Sequence, residues 1–289
     1  MINILITGCN GQLGNEIRLL QPDFPNYNFF FTDVAELDIT NKQAIFNFVS
    51  GKKISCIINA AAYTAVDKAE TEPEKANLIN GLAAGNLAEV AKNINALFVH
   101  ISTDYIFDGK NHRPIIEDEP PGPSSAYAKS KWLGEQKINE VAGKAVILRT
   151  SWLYSEFGGN FVKSMIKYGR ERESLNVVFD QIGSPTYAAD LAGIILQLIP
   201  EWMSLKAPEV FHYSDEGIAS WYDFTMAIHK IAGIKCKVNP IETKDYPLPA
   251  SRPFYSVMNK EKIKKKYGVQ IPYWRDSLEI CIRKIEKSR

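Results

Sequence analysis

The sequence predicts an α/β protein, a doubly wound parallel sheet with a second, smaller domain, and three features lead to that class. Through the first half, short β-branched or aromatic runs alternate with longer helical patterns. Such alternation implies right-handed crossovers and a parallel sheet covered on both faces. A glycine-rich turn, Gly8-Cys9-Asn10-Gly11-Gln12-Leu13-Gly14, joins the first run to the first helix. Beyond about residue 150 the alternation loosens into polar and aromatic connections, punctuated by Tyr246-Pro247-Leu248-Pro249-Ala250-Ser251-Arg252-Pro253.

Taken in order, strands are expected at 3–7, 28–32, 56–59, 97–102 and 145–149, with helices at 11–20, 42–50, 73–93 and 125–141 between them. The apolar stretch 187–199 reads as a helix returning to the sheet. Residues 1–150, with roughly 160–200 returning to them, therefore make the larger domain, and about 151–159 and 201–289 the smaller region. In a sheet of this kind the ligand crevice lies at the carboxyl ends of the strands.

The 289 residues, 45% hydrophobic and 23% charged, have the balance of an ordinary soluble globular protein, and no apolar run approaches the length of a membrane span. A formal net charge of +1 gives no field for nucleic acid. The Lys-rich piece 260–266 reads as a solvated helix face. Met1-Ile2-Asn3-Ile4 opens directly on a strand pattern without a targeting segment, which leads to a cytoplasmic expectation. Cys9, Cys56, Cys236 and Cys281 are far apart and among apolar neighbours, and His100, His112, His212 and His229 show no ligand spacing, so neither disulfides nor a metal site is expected.

Each glycine of the loop has its own physical role, with a tight turn at Gly8, close backbone approach to a pyrophosphate at Gly11, and close helix-to-strand packing at Gly14. The loop's place at the first strand-helix junction, with Asn10, Gln12 and Leu13 between the glycines, points to a dinucleotide held at a helix N-terminus. Asp33 follows the second strand, near the ~20-residue offset at which a carboxylate accepts hydrogen bonds from the adenine ribose, an arrangement that favours NAD over NADP. The third strand ends in Asn59-Ala60-Ala61-Ala62-Tyr63, where small residues let a cofactor lie against the backbone.

Tyr127 and Lys131 stand four residues apart at the start of a helix that follows Pro120, Pro121 and Pro123. Spacing alone is weak, because thirteen tyrosines among 34 basic residues yield one or two such pairs by chance, and Tyr168 with Arg172 is another.

Taken together, the glycine loop, the Asn-Ala-Ala-Ala segment and the Tyr127/Lys131 pair make the chain similar to extended short-chain dehydrogenase/reductases. Leu37-Asp38-Ile39-Thr40, Ala65-Val66-Asp67-Lys68-Ala69-Glu70, Ser102-Thr103-Asp104-Tyr105-Ile106-Phe107-Asp108-Gly109, Arg149-Thr150-Ser151-Trp152-Leu153-Tyr154, Asp180-Gln181-Ile182-Gly183-Ser184-Pro185-Thr186 and Arg252-Pro253 narrow the resemblance to the dTDP-4-dehydrorhamnose reductase family, through nearly the whole chain. The resemblance implies a Rossmann-like cofactor domain with a smaller substrate-binding domain for a dTDP-sugar. It also implies reduction of the C4 ketone of dTDP-4-dehydro-L-rhamnose to dTDP-L-rhamnose by NADPH or NADH, many relatives using NADPH despite an acidic residue like Asp33.

Carried over by motif, Gly11, Gln12 and Leu13 hold the pyrophosphate region, Asp38 and Ile39 the adenine, and Ala62, Tyr63 and Thr64 the nicotinamide half, beside Ala60 and Ala61. Thr103, Asp104, Tyr105 and Trp152 face the sugar. Ala128 replaces the glycine that many relatives have after the tyrosine.

Tyr127 is the expected proton donor, with Lys131 one turn later on the same face, lowering the phenol's pKa and reaching the nicotinamide ribose; Thr103 offers its hydroxyl to the carbonyl. Arg252, between prolines, either binds the sugar-nucleotide diphosphate or pairs with a surface carboxylate. A homodimer is considered, without the divalent cation described for some relatives. Two other readings are kept: reduction of another nucleotide-linked 4-keto-6-deoxysugar, and a non-catalytic NADP-binding regulatory subunit of the methionine adenosyltransferase type.

Overall fold

The structure, a computed structural model, describes residues 1–287. Strands β1 (Ile2–Thr7), β2 (Tyr27–Thr32), β3 (Ile54–Asn59), β4 (Leu97–Thr103), β5 (Ala145–Thr150) and β6 (Glu209–His212) form one parallel sheet in the order β6-β5-β4-β3-β1-β2. The first five lie where the sequence pattern puts them. Strand β6 comes from the stretch assigned to the smaller region. Its four residues, Glu209–His212, are too short to show a period, and parallel pairing with Val146–Arg149 on β5 makes them a strand.

Helices α1 (Gln12–Leu20), α2 (Lys42–Val49), α3 (Ala83–Asn93) and α4 (Ala126–Val141) lie between the first five strands. After β5 follow α5 (Phe161–Glu171), α6 (Ala188–Trp202), α7 (Trp221–Ile231), α8 (Glu261–Tyr267) and α9 (Trp274–Lys287). Successive strand residues point to opposite faces. Ile4 and Ile6 meet Leu13 and Ile17 of α1 and Leu191, Ile195 and Ile199 of α6. Leu5 meets the other face with Ile45 of α2, Leu87 of α3 and Ile138 of α4.

A third cluster joins α5, α7 and α9 through Val162, Ile166, Phe224, Ile228, Leu278 and Ile282. Within the 160–200 stretch, then, only α6 covers the sheet, because α5 buries Val162 and Ile166 against α7. Ile263 of α8 also packs on the sheet side. Local signals set several helix starts: Asn41, Ser125 and Asn160 accept from the backbone amide three residues on, and Ser220 with Asp223 makes a capping box.

The expected helix 73–93 contains a π-helical segment, Asn77–Leu82, between Pro73–Ala76 and α3. Helix α4 lies very close to it: a Cβ on Gly134 would overlap the Asn80 carbonyl oxygen, and one on Gly81 would come within 2.6 Å of Leu133. Further along α4, Glu135 is fully buried and pairs with Arg149 of β5, Nη2 to Oε2 at 2.8 Å and Nε to Oε1 at 3.1 Å. Ser102 of β4 donates to the same carboxylate, and Arg149 Nη1 donates to Glu117 O at 2.8 Å.

This pair fastens α4 to β4 and β5, so removing one partner leaves a buried charge uncompensated. Arg149→Met should lower stability by about 3–5 kcal/mol, and the Glu135→Leu/Arg149→Met double variant should regain most of that loss. Urea unfolding of the two variants checks it; a double variant no more stable than Arg149→Met would refute the account.

Candidate active site

The crevice opens where β1 and β3 send their connections to opposite faces of the sheet. Gly8, immediately after β1, has φ +70°, and a Cβ there would come within 2.6 Å of the Ala61 backbone. The turn thus presses against the segment after β3, a contact open only to glycine. Gly11 donates its amide to Gly8 O at 3.1 Å. At Gly14 a Cβ would overlap Cys9 Cα. The tight approach here is between α1 and its own loop, rather than between α1 and the strand as the spacing suggested.

Helix α1 has no side-chain cap, so its first-turn amides are left for a ligand. With the small residues Ala60 and Ala61 facing Gly8, this cradle suits the pyrophosphate of a dinucleotide. Asn10 gives its backbone amide to Asp33 Oδ2 at 3.0 Å, so Asp33 also fixes the loop. Leu13 is 4% exposed and belongs to the core, which leaves only its main chain for a ligand. Gln12 accepts from Asn160 Nδ2 at 2.9 Å and so ties the loop to the segment before α5. Asp38 accepts from the Thr40 amide and hydroxyl at 2.9 and 2.7 Å, while Ile39 is buried below it.

After β3, the Tyr63 amide donates to Asn80 Oδ1 at 2.8 Å and its carbonyl accepts from Asn80 Nδ2 at 3.0 Å. Asn80 also donates to Ser130 Oγ at 2.9 Å, and Ser130 donates to Tyr127 O at 2.7 Å. One buried amide therefore joins the Ala60–Thr64 segment to α4. The Tyr63 phenol donates to Glu72 at 2.9 Å; Thr64 is exposed on the cavity wall. Sequence reasoning missed Asn80 and Ser130. Gly81, Gly85 and Gly134, spaced along two helices, were the available sign of close approach.

Thr103 ends β4, donates to Asp104 Oδ1 at 3.0 Å and accepts from the Tyr105 amide at 3.2 Å. Tyr127, the second residue of α4, stands edge-on to Tyr105 with ring centroids 5.8 Å apart. Burial pushes the Tyr127 phenol up to about 12; the Thr103 hydroxyl opposes this and the Asp104 charge adds to it. Asp104 itself, 2% exposed, is pushed up to about 6 by burial. Lys131 donates to Ile101 O at 2.6 Å, and its Nζ lies 3.3 Å from His100 Nε2. Burial brings Lys131 down to about 8, opposed by the Glu135 charge. The expected lowering of the phenol by its neighbouring cation is thus reversed, because burial dominates at Tyr127 and Lys131 donates to the β4 backbone at Ile101.

A cavity of about 780 Å³ has Tyr105, the ring against Tyr127, on its wall, together with Gln12, Thr64, Trp152, Trp221 and Arg252. Trp152 has φ +49°, and its ring lies flat on Trp221, centroids 3.5 Å apart at 7°. A bulky residue in that backbone region is strained and kept there by its surroundings. Gly183 is one of them: a Cβ there would come within 2.7 Å of the indole. Of the two readings left open for Arg252, the structure holds the carboxylate pair: both terminal nitrogens bind Asp67, each at 2.7 Å. That bond depresses the Asp67 carboxyl and joins the Val66–Ala69 turn to the proline-rich segment. Among the described residues no group of three or more His, Cys, Asp or Glu side chains can hold a metal, and no helix is long and apolar enough to cross a membrane.

Residues 2–287 match the family described as RmlD substrate binding domain. The dTDP-4-dehydrorhamnose reductase of Aggregatibacter actinomycetemcomitans is 39% identical over 287 residues, covering 96% of this chain and 98% of that protein. The crystal structure of a dTDP-4-dehydrorhamnose reductase from Clostridium acetobutylicum superposes with a TM-score of 0.94 at 43% identity, covering 99% of this chain and 100% of that one. The enzyme of the same name from Bacillus anthracis, solved in complex with NADP, gives 0.93 at 39% identity, covering 98% and 100%. With its parallel sheet, its glycine cradle and this agreement along both full lengths, the chain belongs to the dTDP-4-dehydrorhamnose reductase family.

Proposed function

We propose that the protein reduces the C4 ketone of dTDP-4-dehydro-L-rhamnose to dTDP-L-rhamnose, a step of dTDP-rhamnose biosynthesis, with NADPH or NADH. The observation that carries this reading is the meeting of Thr103 and Tyr127 at the carboxyl end of β4, where Tyr127 packs against Tyr105 of the cavity wall. Tyr168 and Arg172, at the same spacing, have no such surroundings and lie against each other, the guanidinium 4.5 Å from the ring centroid.

A bound nicotinamide supplies the hydride. The chain's own residues bind, orient and deliver a proton. Tyr127, held protonated at neutral pH by burial, donates its phenolic proton to the ketone oxygen as that oxygen gains charge. Thr103 gives the same oxygen a second hydroxyl, which strengthens in the transition state. Lys131 binds the nicotinamide ribose hydroxyls from the buried side of α4.

Gly8, Asn10, Gly11, Gln12, Leu13 and Gly14 with Ala60, Ala61 and Ala62 hold the pyrophosphate and nicotinamide halves, and Asp33, Asp38 and Ile39 the adenosine. Asp104, Tyr105 and Trp152 seat the 6-deoxyhexose. Arg252 leaves Asp67 for the diphosphate, two charge-assisted hydrogen bonds being exchanged for two. In this reading the sheet with α1–α4, α6 and α8 is the cofactor domain, and α5, α7 and α9 with the proline-rich segment make the sugar-nucleotide domain. The enzyme acts in the cytoplasm, and its assembly is a homodimer.

Mixing protein, dTDP-4-dehydro-L-rhamnose and NADPH or NADH should consume the reduced-nicotinamide absorbance, and no consumption with either cofactor would remove the reading. Tyr127→Phe should lower kcat by about 10²–10⁴-fold with cofactor affinity retained. For Arg252→Lys, the loss of the planar fork should raise KM for the dTDP-sugar roughly tenfold while kcat stays within about twofold. An unchanged KM would confine Arg252 to the Asp67 pair.

A further inference from the structure

A buried row of polar side chains crosses the sheet and ends on Lys131. Thr7 of β1 donates to Asn59 Oδ1 of β3 at 2.8 Å. Asn59 Nδ2 lies 3.1 Å from His100 Nδ1 of β4, and His100 Nε2 lies 3.3 Å from Lys131 Nζ of α4. Thr7, Asn59 and His100 are each 1% exposed and Lys131 2%, so the direction of each bond is set by protein groups rather than by water.

That direction is fixed at the asparagine. Its Oδ1 also accepts the Ala61 amide at 3.2 Å, a group that can only donate, so the oxygen takes that side and the NH₂ turns to the histidine. An amide NH₂ can only donate, hence His100 Nδ1 accepts. A neutral imidazole that accepts at Nδ1 carries its proton on Nε2. The Nε2–H then points at Lys131 Nζ, which already donates to Ile101 O at 2.6 Å. An ammonium, having donors only, meets that N–H head-on. An amine accepts it through its lone pair and still donates to Ile101.

We propose that the Thr7–Asn59–His100 row sets the protonation state of Lys131, by holding His100 in the Nε2–H tautomer whose donor favours the amine over the ammonium. His100 is a positioning residue here, acting through Lys131. Burial keeps His100 well below its ordinary value, and so neutral, with the Lys131 charge adding to this. Burial likewise brings Lys131 down, the direction the row requires.

Glu135, on the same helix as Lys131, favours the ammonium but is itself bound by Arg149 of β5 and Ser102 of β4. Tyr127 stands one turn earlier, with Asp104 and Tyr105 beyond it at the end of β4. Activity that needs the ammonium is present below the Lys131 titration and is lost as pH rises through it, so the row draws the alkaline limb of the profile downward.

This inference rests on the proposed role of Lys131 in turnover, and its first test does not. In wild-type protein labelled with ¹⁵N-histidine, the His100 ring, identified through its contact with Phe98 at 6.1 Å between centroids, should show a protonated Nε2 and a bare Nδ1 across neutral pH. A protonated Nδ1 would overturn the proposal whatever the enzyme reduces. In the second test, His100→Gln can turn an oxygen toward Lys131, and the alkaline limb of kcat should move up by about one pH unit, a tenfold change in the titration constant. KM for the dTDP-sugar should be unchanged. A limb that stays or moves down would show that His100 already accepts from Lys131, and the proposal would fall.

Discussion

Helix α4 turns Ser130, Lys131, Gly134 and Glu135 inward, and the site depends on how those polar groups are held. A helix that buries leucines is kept in place by packing area; one that buries a serine, a lysine and a glutamate is kept in place only if each finds its partner. Asn80 takes Ser130, the β4 backbone takes Lys131, and Arg149 takes Glu135. These bonds have directions and lengths, so they fix the rotation of α4 and with it the position of Tyr127.

Close backbone approach makes those bonds reachable. Gly134 lets α4 approach the Asn80 carbonyl, and Gly8 lets the first turn settle on Ala61. A side chain at either place would push apart the two surfaces that the site joins. The π-helical turn at Asn77–Leu82 has the same effect, offering the Asn80 amide to Tyr63 and Ser130 at once. Irregular helix of this kind is often found at functional sites.

Across the crevice the fixing element is aromatic and ionic. Trp152 offsets the strain of its left-handed backbone by stacking on Trp221, whose indole N–H is held by Gln181 at 3.2 Å. Asp67 and Arg252 connect the sheet side with the proline-rich segment at an edge where Asp67 remains partly exposed. A buried pair, Glu135 and Arg149, therefore holds the helix, while a more accessible one lies on the cavity wall, where a ligand can compete for it.

The sequence by itself determined the alternating strands and helices, the glycine loop, the order of Thr103, Tyr127 and Lys131, and the family to which they belong. These are legible because each depends on local signals: strand period, helix caps, glycines at a strand-helix junction, and contiguous motifs. Tertiary structure decided the rest. Strand β6 needed the edge of β5 to become a strand, and Arg252 found Asp67 from 185 residues away. The Tyr63 phenol turned to Glu72, and the pKa shifts of Tyr127 and Lys131 follow burial rather than their mutual spacing. Spacing on one helix tells which side chains can share a face, whereas desolvation and hydrogen-bond direction depend on Asn59, His100, Asn80 and Arg149, which only the folded sheet brings to that helix.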